Sequence, residues 1–198
     1  MDLRIILPVK PFGEAKQRLA EAIKPAARAR LAEDMFRHVF AVATDFAGPS
    51  AIIVVSRGPD VLELATTRGA MALVEHSPFN LNAALRQAAA FAGDSGASNL
   101  LVVASDLPML RKDDLVALVE HDCAVAPDRH GRGTNALLWP LSPRPRFHFG
   151  ENSFAQHCEA AKAAGYEPQI VARPGLGHDI DLPSDLLNAP EAGTTDLL

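Results

Sequence analysis

The sequence predicts an α/β fold: a three-layer sandwich with helices on both faces of a mostly parallel sheet. Three observations predict it. Short apolar runs alternate with stretches carrying apolar residues at helical spacing, as strands and crossover helices do. No repeat, low-complexity block or long linker breaks the 198 residues, so one domain over residues 1–187 with a polar tail over 188–198 is expected. The run Leu100-Leu101-Val102-Val103-Ala104-Ser105 stops on Asp106-Leu107-Pro108. That stop places a carboxylate at a strand's C-terminal edge, where open α/β sheets bind ligands.

The elements follow in order. Leu3–Val9 reads as a first strand, apolar on both faces, and 10–19 as a polar loop rich in Lys and Arg. Leu31, Met35, Val39, Val42 and Phe46 form the stripe of a helix over 28–46. Ala51–Val55 is a second strand, and Ser56-Arg57-Gly58-Pro59 turns into a short helix. Ala70–Val74 is a third strand, Leu81–Phe91 an Ala-rich helix, and Gly93–Ala97 a loop. Leu100–Ala104 is the central strand and Leu115–Val119 belongs to the next helix. Cys123–Ala126 and Asn135–Trp139 are strands, Ser153–Ala164 an amphipathic helix and Gln169–Ala172 a late strand. The small, polar residues after Asn188 predict a frayed end.

Composition narrows the function. A net charge of −5 disfavours nucleic acid as a partner. Cys123 and Cys158 form neither CxxC nor a zinc spacing and read as free thiols in a reducing compartment. Ile5-Ile6-Leu7 is too short for a leader and is cut by Pro8; no run approaches a membrane span. A cytoplasmic protein is the expectation, with a homodimer as the default assembly.

The chemistry concentrates in four places. In Asp179-Ile180-Asp181, two aspartates stand two residues apart, so an extended segment points both carboxylates the same way. With Asp106 they make three carboxylates, which repel one another unless a cation lies between them; hard oxygen ligands suit Mg²⁺ holding substrate phosphates. Lys10, Lys16 and Arg18 follow the first strand and could neutralise a triphosphate, although neither GxxxxGK[ST] nor GxGxxG is present. Ala126-Pro127-Asp128-Arg129-His130-Gly131-Arg132-Gly133-Thr134-Asn135 reads either as a loop for a small anion or as a hairpin-like turn. Phe149-Gly150-Glu151-Asn152-Ser153 opens a helix, either as an anion site or with Asn152 or Ser153 as a simple cap. Asn82 opens another helix, as a cap or as a ribose or base contact. His157 and Cys158 read as packing or surface residues, and His178 as a neighbour of the Asp pair. No G-x-S-x-G supports a serine hydrolase.

Taken together, LPVK-x5-KxRL, N-x-A-L, DLP, APDRxGRGTNAL, FGxxSFxxH and DIDxPxDL resemble the guanylyltransferase family of deazaflavin coenzyme F-420 biosynthesis, in that family's order from residue 7 to 187. The resemblance implies a GT-A-like nucleotidyltransferase (nucleotide-diphospho-sugar transferase) fold. It implies transfer of GMP from GTP to the phosphate of 2-phospho-L-lactate, phosphoenolpyruvate or 3-phospho-D-glycerate. It assigns Asp106, Asp179 and Asp181 to two Mg²⁺ ions, Lys10, Lys16 and Arg18 to the GTP phosphates, and Thr134, Gly150 and Ser153 to the acceptor. Ser105 and the Pro-rich Arg144–Arg146 segment depart from the pattern; the latter bears on acceptor choice. Related enzymes acting on sugar phosphates or molybdopterin carry an LxGGxxxR first loop, where this chain has Pro8-Val9-Lys10-Pro11. A non-catalytic nucleotide-binding regulator would have lost one of the three aspartates.

Overall fold

The computed structural model describes residues 2–77 and 79–186, with the backbone alone at Leu186. The expected tail over 188–198 lies outside the described residues.

Seven strands form one sheet in the order β3-β2-β1-β4-β6-β5-β7. They are β1 (Leu3–Pro8), β2 (Ile52–Ser56), β3 (Met71–Val74), β4 (Asn99–Val103), β5 (Ala124–Pro127), β6 (Thr134–Pro140) and β7 (Gln169–Ile170). β1 pairs parallel with both β2 and β4, with Ile5 opposite Ile52 and Leu101. β6 runs antiparallel to both its neighbours, and the other strands share one direction. Its reversal follows from the short loop 128–133, which leaves no room for a crossover helix.

The helices are α1 (Pro25–Ala47), α2 (Pro59–Thr67), α3 (Leu81–Asp94), α4 (Lys112–Val119), α5 (Ser153–Ala163), α6 (Pro174–Gly177) and α7 (Pro183–Leu186). Alternate residues of each strand face opposite layers. Ile5, Leu7, Leu101 and Val103 pack with Phe36, Val39 and Phe40 of α1 and Leu115 and Leu118 of α4. Ile6, Leu100 and Val102 pack with Leu85 and Ala88 of α3 and Ala161 of α5. All of these are buried, which is why the strands read as continuous apolar runs.

Several ends differ from the sequence expectation. α1 begins three residues early because Pro25 fits a first helical turn, which needs no N–H there. α3 runs through Gly93 and Asp94, so the loop expected at Gly93–Ala97 is shorter. β7 stops at Ile170, two residues short, on the sheet edge. The polar loop over 10–19 contains two 3₁₀ turns, Phe12–Glu14 and Gln17–Leu19, and α6 and α7 were not foreseen. Four-residue helices carry too little periodicity to be read from sequence.

Candidate active site

The strand order reverses between β1 and β4, and such a switch point opens a crevice at the strands' C-terminal ends. A cavity of about 720 Å³ lies there. Its walls come from the segment after β1, the turn after β4, the start of β6, the 149–153 segment and the 179–181 segment. Because β6 is antiparallel, its first residues, Thr134 and Asn135, meet the same edge as Asp106.

The acidic side is built by apolar anchoring. Ile180 is buried with Leu19, Ile23, Leu31 and Met35, while its neighbours Asp179 and Asp181 line the cavity. The period-two geometry of an extended segment produces this split. Asp185 is buried beneath the segment; its Oδ2 accepts the backbone N–H groups of Asp181 at 2.8 Å and Leu182 at 2.7 Å. Arg129 pairs with the Asp185 carboxylate. Burial alone would raise the Asp185 carboxyl, but the two N–H groups and Arg129 hold it below its ordinary range. Arg129, expected to add charge for an anion, is thus committed to holding the aspartate loop.

Lys16 stands among the carboxylates. It adopts a left-handed backbone (φ 54°), which aims its side chain inward between the two 3₁₀ turns. Its Nζ lies 2.5 Å from Asp106 Oδ2 and 3.0 Å from Asp181 Oδ1, with the side chain only 7% exposed. Burial would lower its pKa, yet the two carboxylates outweigh that and raise it. Arg18 Nη1 reaches Asp181 Oδ2 at 3.3 Å, in the open. Asp179 Oδ1 instead accepts from Asn135 Nδ2 at 3.1 Å. Burial raises the Asp179 carboxyl, with the charges of Asp106 and Asp181 adding to the effect against the Asn135 bond.

Lys16 and Arg18, expected to meet phosphates, are therefore paired with the acidic group. Among the described residues no three Asp, Glu, His or Cys side chains stand close enough to grip an ion. The Lys16 ammonium bridges Asp106 and Asp181. The donor chemistry still suits a hard divalent cation. All three groups are carboxylates, and Asp179 is charged only at a cost that a cation would remove.

The 128–134 and 149–153 segments add backbone and hydroxyl groups to the lining. Asp128 Oδ1 accepts the N–H groups of His130 and Arg132, curling the loop before β6. A Cβ at Gly133 would meet Asp128 Oδ2 at 2.8 Å, so only glycine fits there without displacing that cap. Gly150 has φ +133°, a conformation L side chains rarely adopt. It and Ser153 line the cavity beside Thr134. Asn152 occupies the N-cap of α5 without a side-chain cap bond, so the capping expectation for it is not what the structure shows.

Lys10, Lys16, Arg18, Asp106, Asp179, Asp181, Thr134, Gly150 and Ser153 all line this one cavity. Asn82 is not among its lining residues, and the expectation that it caps α3 is corrected. Asn80 is the cap, its Oδ1 accepting from Ala83 N at 2.9 Å. Asn82 sits inside the first turn, where its amide exchanges two hydrogen bonds with the main chain of Phe149, at 2.9 and 2.8 Å. It secures the 149–153 segment. His178 Nδ1 lies 2.9 Å from Pro174 O, holding α6.

His157, read from the sequence as a packing or surface residue and as the last residue of FGxxSFxxH, is fully buried. Its Nδ1 lies 2.9 Å from Thr134 Oγ1 and its Nε2 accepts from His148 N at 3.0 Å. The available signal was its place four residues after Ser153, on the same face of α5.

The chain is 38% identical to a phosphoenolpyruvate guanylyltransferase of Rubrobacter xylanophilus, covering 98% of this chain and 96% of the relative. It is 38% identical to a protein of the same name from Roseiflexus castenholzii, covering 94% and 87%. A solved structure from Desulfovibrio desulfuricans, described as a nucleotide-diphospho-sugar transferase, superposes with a TM-score of 0.74 at 18% identity, covering 98% and 89%. That likeness speaks for the fold alone, the α/β nucleotidyltransferase fold. The family described as "Guanylyl transferase CofC like" matches residues 3–193, and the chain belongs to it.

Proposed function

We propose that this protein transfers GMP from GTP to the phosphate of a phosphorylated three-carbon acid and releases pyrophosphate. Phosphoenolpyruvate is the first acceptor to test, since relatives at 33–39% identity carry that name; 2-phospho-L-lactate and 3-phospho-D-glycerate follow. The observation that carries the reading is that the Asp106–Lys16–Asp181 charge cluster and the groups of Thr134, Gly150 and Ser153 line one cavity. The cluster suits a polyphosphate with its cation; the hydroxyl and backbone groups suit a small carboxylate-bearing acid.

In this reading an oxygen of the acceptor's phosphate attacks the α-phosphorus of GTP in line, and the bond to the β-phosphate oxygen breaks. A phosphate monoester is largely dianionic at neutral pH, its second pKa being about 6. The attack therefore needs no general base, in keeping with a site that, among the described residues, is lined by carboxylates and cations and by no histidine. The protein's share is alignment and charge neutralisation. Asp106, Asp179 and Asp181 would hold Mg²⁺, two ions by the family resemblance, which when bound would offset charge on the phosphates. Lys10, Lys16 and Arg18 would meet the triphosphate, Lys16 turning from the carboxylates to do so. Thr134, Gly150 and Ser153 would hold the acid. A single domain over 1–187, a cytoplasmic setting, a homodimer and a place in coenzyme F-420 biosynthesis complete the proposal. Among the described residues no helix is long and apolar enough to cross a membrane.

The test is pyrophosphate release with GTP and Mg²⁺ in the presence of each acid singly, no acid, and ATP in place of GTP. Release that requires GTP and one acid is the expected outcome. Asp106→Asn should then cut the rate by about 10²-fold or more with the thermal midpoint nearly unchanged. Release independent of any acid, or a fully active Asp106→Asn enzyme, would overturn the assignment.

A further inference from the structure

The buried histidine of α5 does more than fill space. His157 is fully buried, and its ring packs edge-on against Phe149, with centroids 4.7 Å apart. Each ring nitrogen has one partner. The backbone N–H of His148 can only donate, so the Nε2 it meets at 3.0 Å must carry a lone pair. A neutral imidazole then carries its proton on Nδ1, and that N–H points at Thr134 Oγ1, 2.9 Å away. The threonine oxygen is thereby used as an acceptor, and its own proton must leave in another direction. Thr134 lines the cavity.

We propose that His157 is the positioning residue of the acceptor pocket. Held as its Nδ1–H tautomer by the His148 main chain, it turns the Thr134 hydroxyl into a hydrogen-bond donor aimed at an anionic group of the acceptor acid. This rests on the guanylyltransfer reading and adds to it a residue that touches no substrate. The same ring ties three parts of the pocket together. Ser153 lies one turn before it on α5, Thr134 opens β6, and His148 leads into Phe149 and Gly150. A one-proton change at His157 would therefore be felt first at Thr134 and in the 148–153 segment. Burial, with the neighbouring His148 adding, lowers its pKa to about 4, which keeps the ring neutral at physiological pH.

A histidine that merely packs would behave differently, and two near-isosteric variants separate the cases. His157→Gln can place an oxygen near the Nε2 position and still accept from His148, but it offers Thr134 no donor at the Nδ1 position. His157→Asn can place an amide N–H near the Nδ1 position and leaves His148 unpaired. His157→Gln should raise the KM for phosphoenolpyruvate about tenfold or more, with the KM for GTP within about twofold. His157→Asn should keep the acid KM within about threefold of wild type while lowering the thermal midpoint. Equal changes in both KM values, or a wild-type acid KM in His157→Gln, would overturn the proposal. Nitrogen-detected NMR of the imidazole provides a readout that needs no turnover. The expected spectrum near pH 7 has a protonated Nδ1 and an unprotonated Nε2; the reverse tautomer would refute the proposal. Because that spectrum is independent of substrate, a wrong acceptor or a failed guanylyltransfer assay is told apart from a wrong role for His157.

Discussion

Two titrating residues show how position changes chemistry. Asp179 and Asp185 lie six residues apart, yet one carboxyl is pushed up and the other held down. The first is raised by burial, with other carboxylates adding to it; the second accepts two N–H groups and faces an arginine. His157 provides the clearest consequence for stability. Its pKa is lowered in the folded chain from 6.5 to about 4. The unfolded state therefore binds the extra proton first on acidification. Stability from this residue is fully present above pH 6.5 and is lost as the pH falls from there towards 4. The loss should reach about 3 kcal/mol for a shift of this size. Urea titrations of wild type and His157→Gln between pH 7 and 4 measure it. The variant should lack that part of the slope; parallel slopes would contradict the burial argument.

At the scale of elements, the loop that carries Asp179 and Asp181 is fixed from two sides. Ile180 enters the Leu19–Ile23–Leu31–Met35 cluster from above, and Asp185 with Arg129 secures the turn from below. Asp185→Ala would leave the N–H groups of Asp181 and Leu182 and the Arg129 guanidinium without their acceptor. The expected cost is about 2–4 kcal/mol, seen as a lower denaturant midpoint, because a buried pair is broken on one side only. The loss of ordering should also weaken any cation bound at Asp179 and Asp181, read by Mg²⁺ titration of the thermal midpoint. A variant as stable as wild type would show that the turn holds itself.

The elements also show what the sequence could and could not disclose. Apolar runs such as Ile52–Val55 and the α1 stripe were legible because burial on both faces, or on one helical face, leaves a periodic trace. The aspartates were legible through pattern, one ending an apolar strand at Asp106 and two spaced alternately at Asp179 and Asp181. Side-chain pairing was not. Whether Lys16 meets a phosphate or Asp106 depends on a left-handed backbone at one residue. Whether Asn80 or Asn82 caps α3 depends on a two-residue shift of the helix start. His157 looked like any apolar-face histidine, since the backbone N–H that fixes its tautomer comes from another segment.

At the scale of the molecule, the topology does the gathering. Residues as far apart as Lys16 and Asp181 meet because β1 and β4 are neighbours at the switch point and β6 runs back against β4. The result is one cavity lined both by the Lys16–aspartate cluster and by Thr134, Gly150 and Ser153, an arrangement suited to joining two phosphate-bearing molecules. The measurement that tests this most directly follows the label from GTP. With Mg²⁺ and phosphoenolpyruvate, label at the α-phosphate should appear in a new product that also contains the acid. Label at the γ-phosphate should appear only in pyrophosphate. Alpha label recovered as free GMP, or gamma label recovered on the acid, would contradict guanylyl transfer and leave the cavity with a different chemistry.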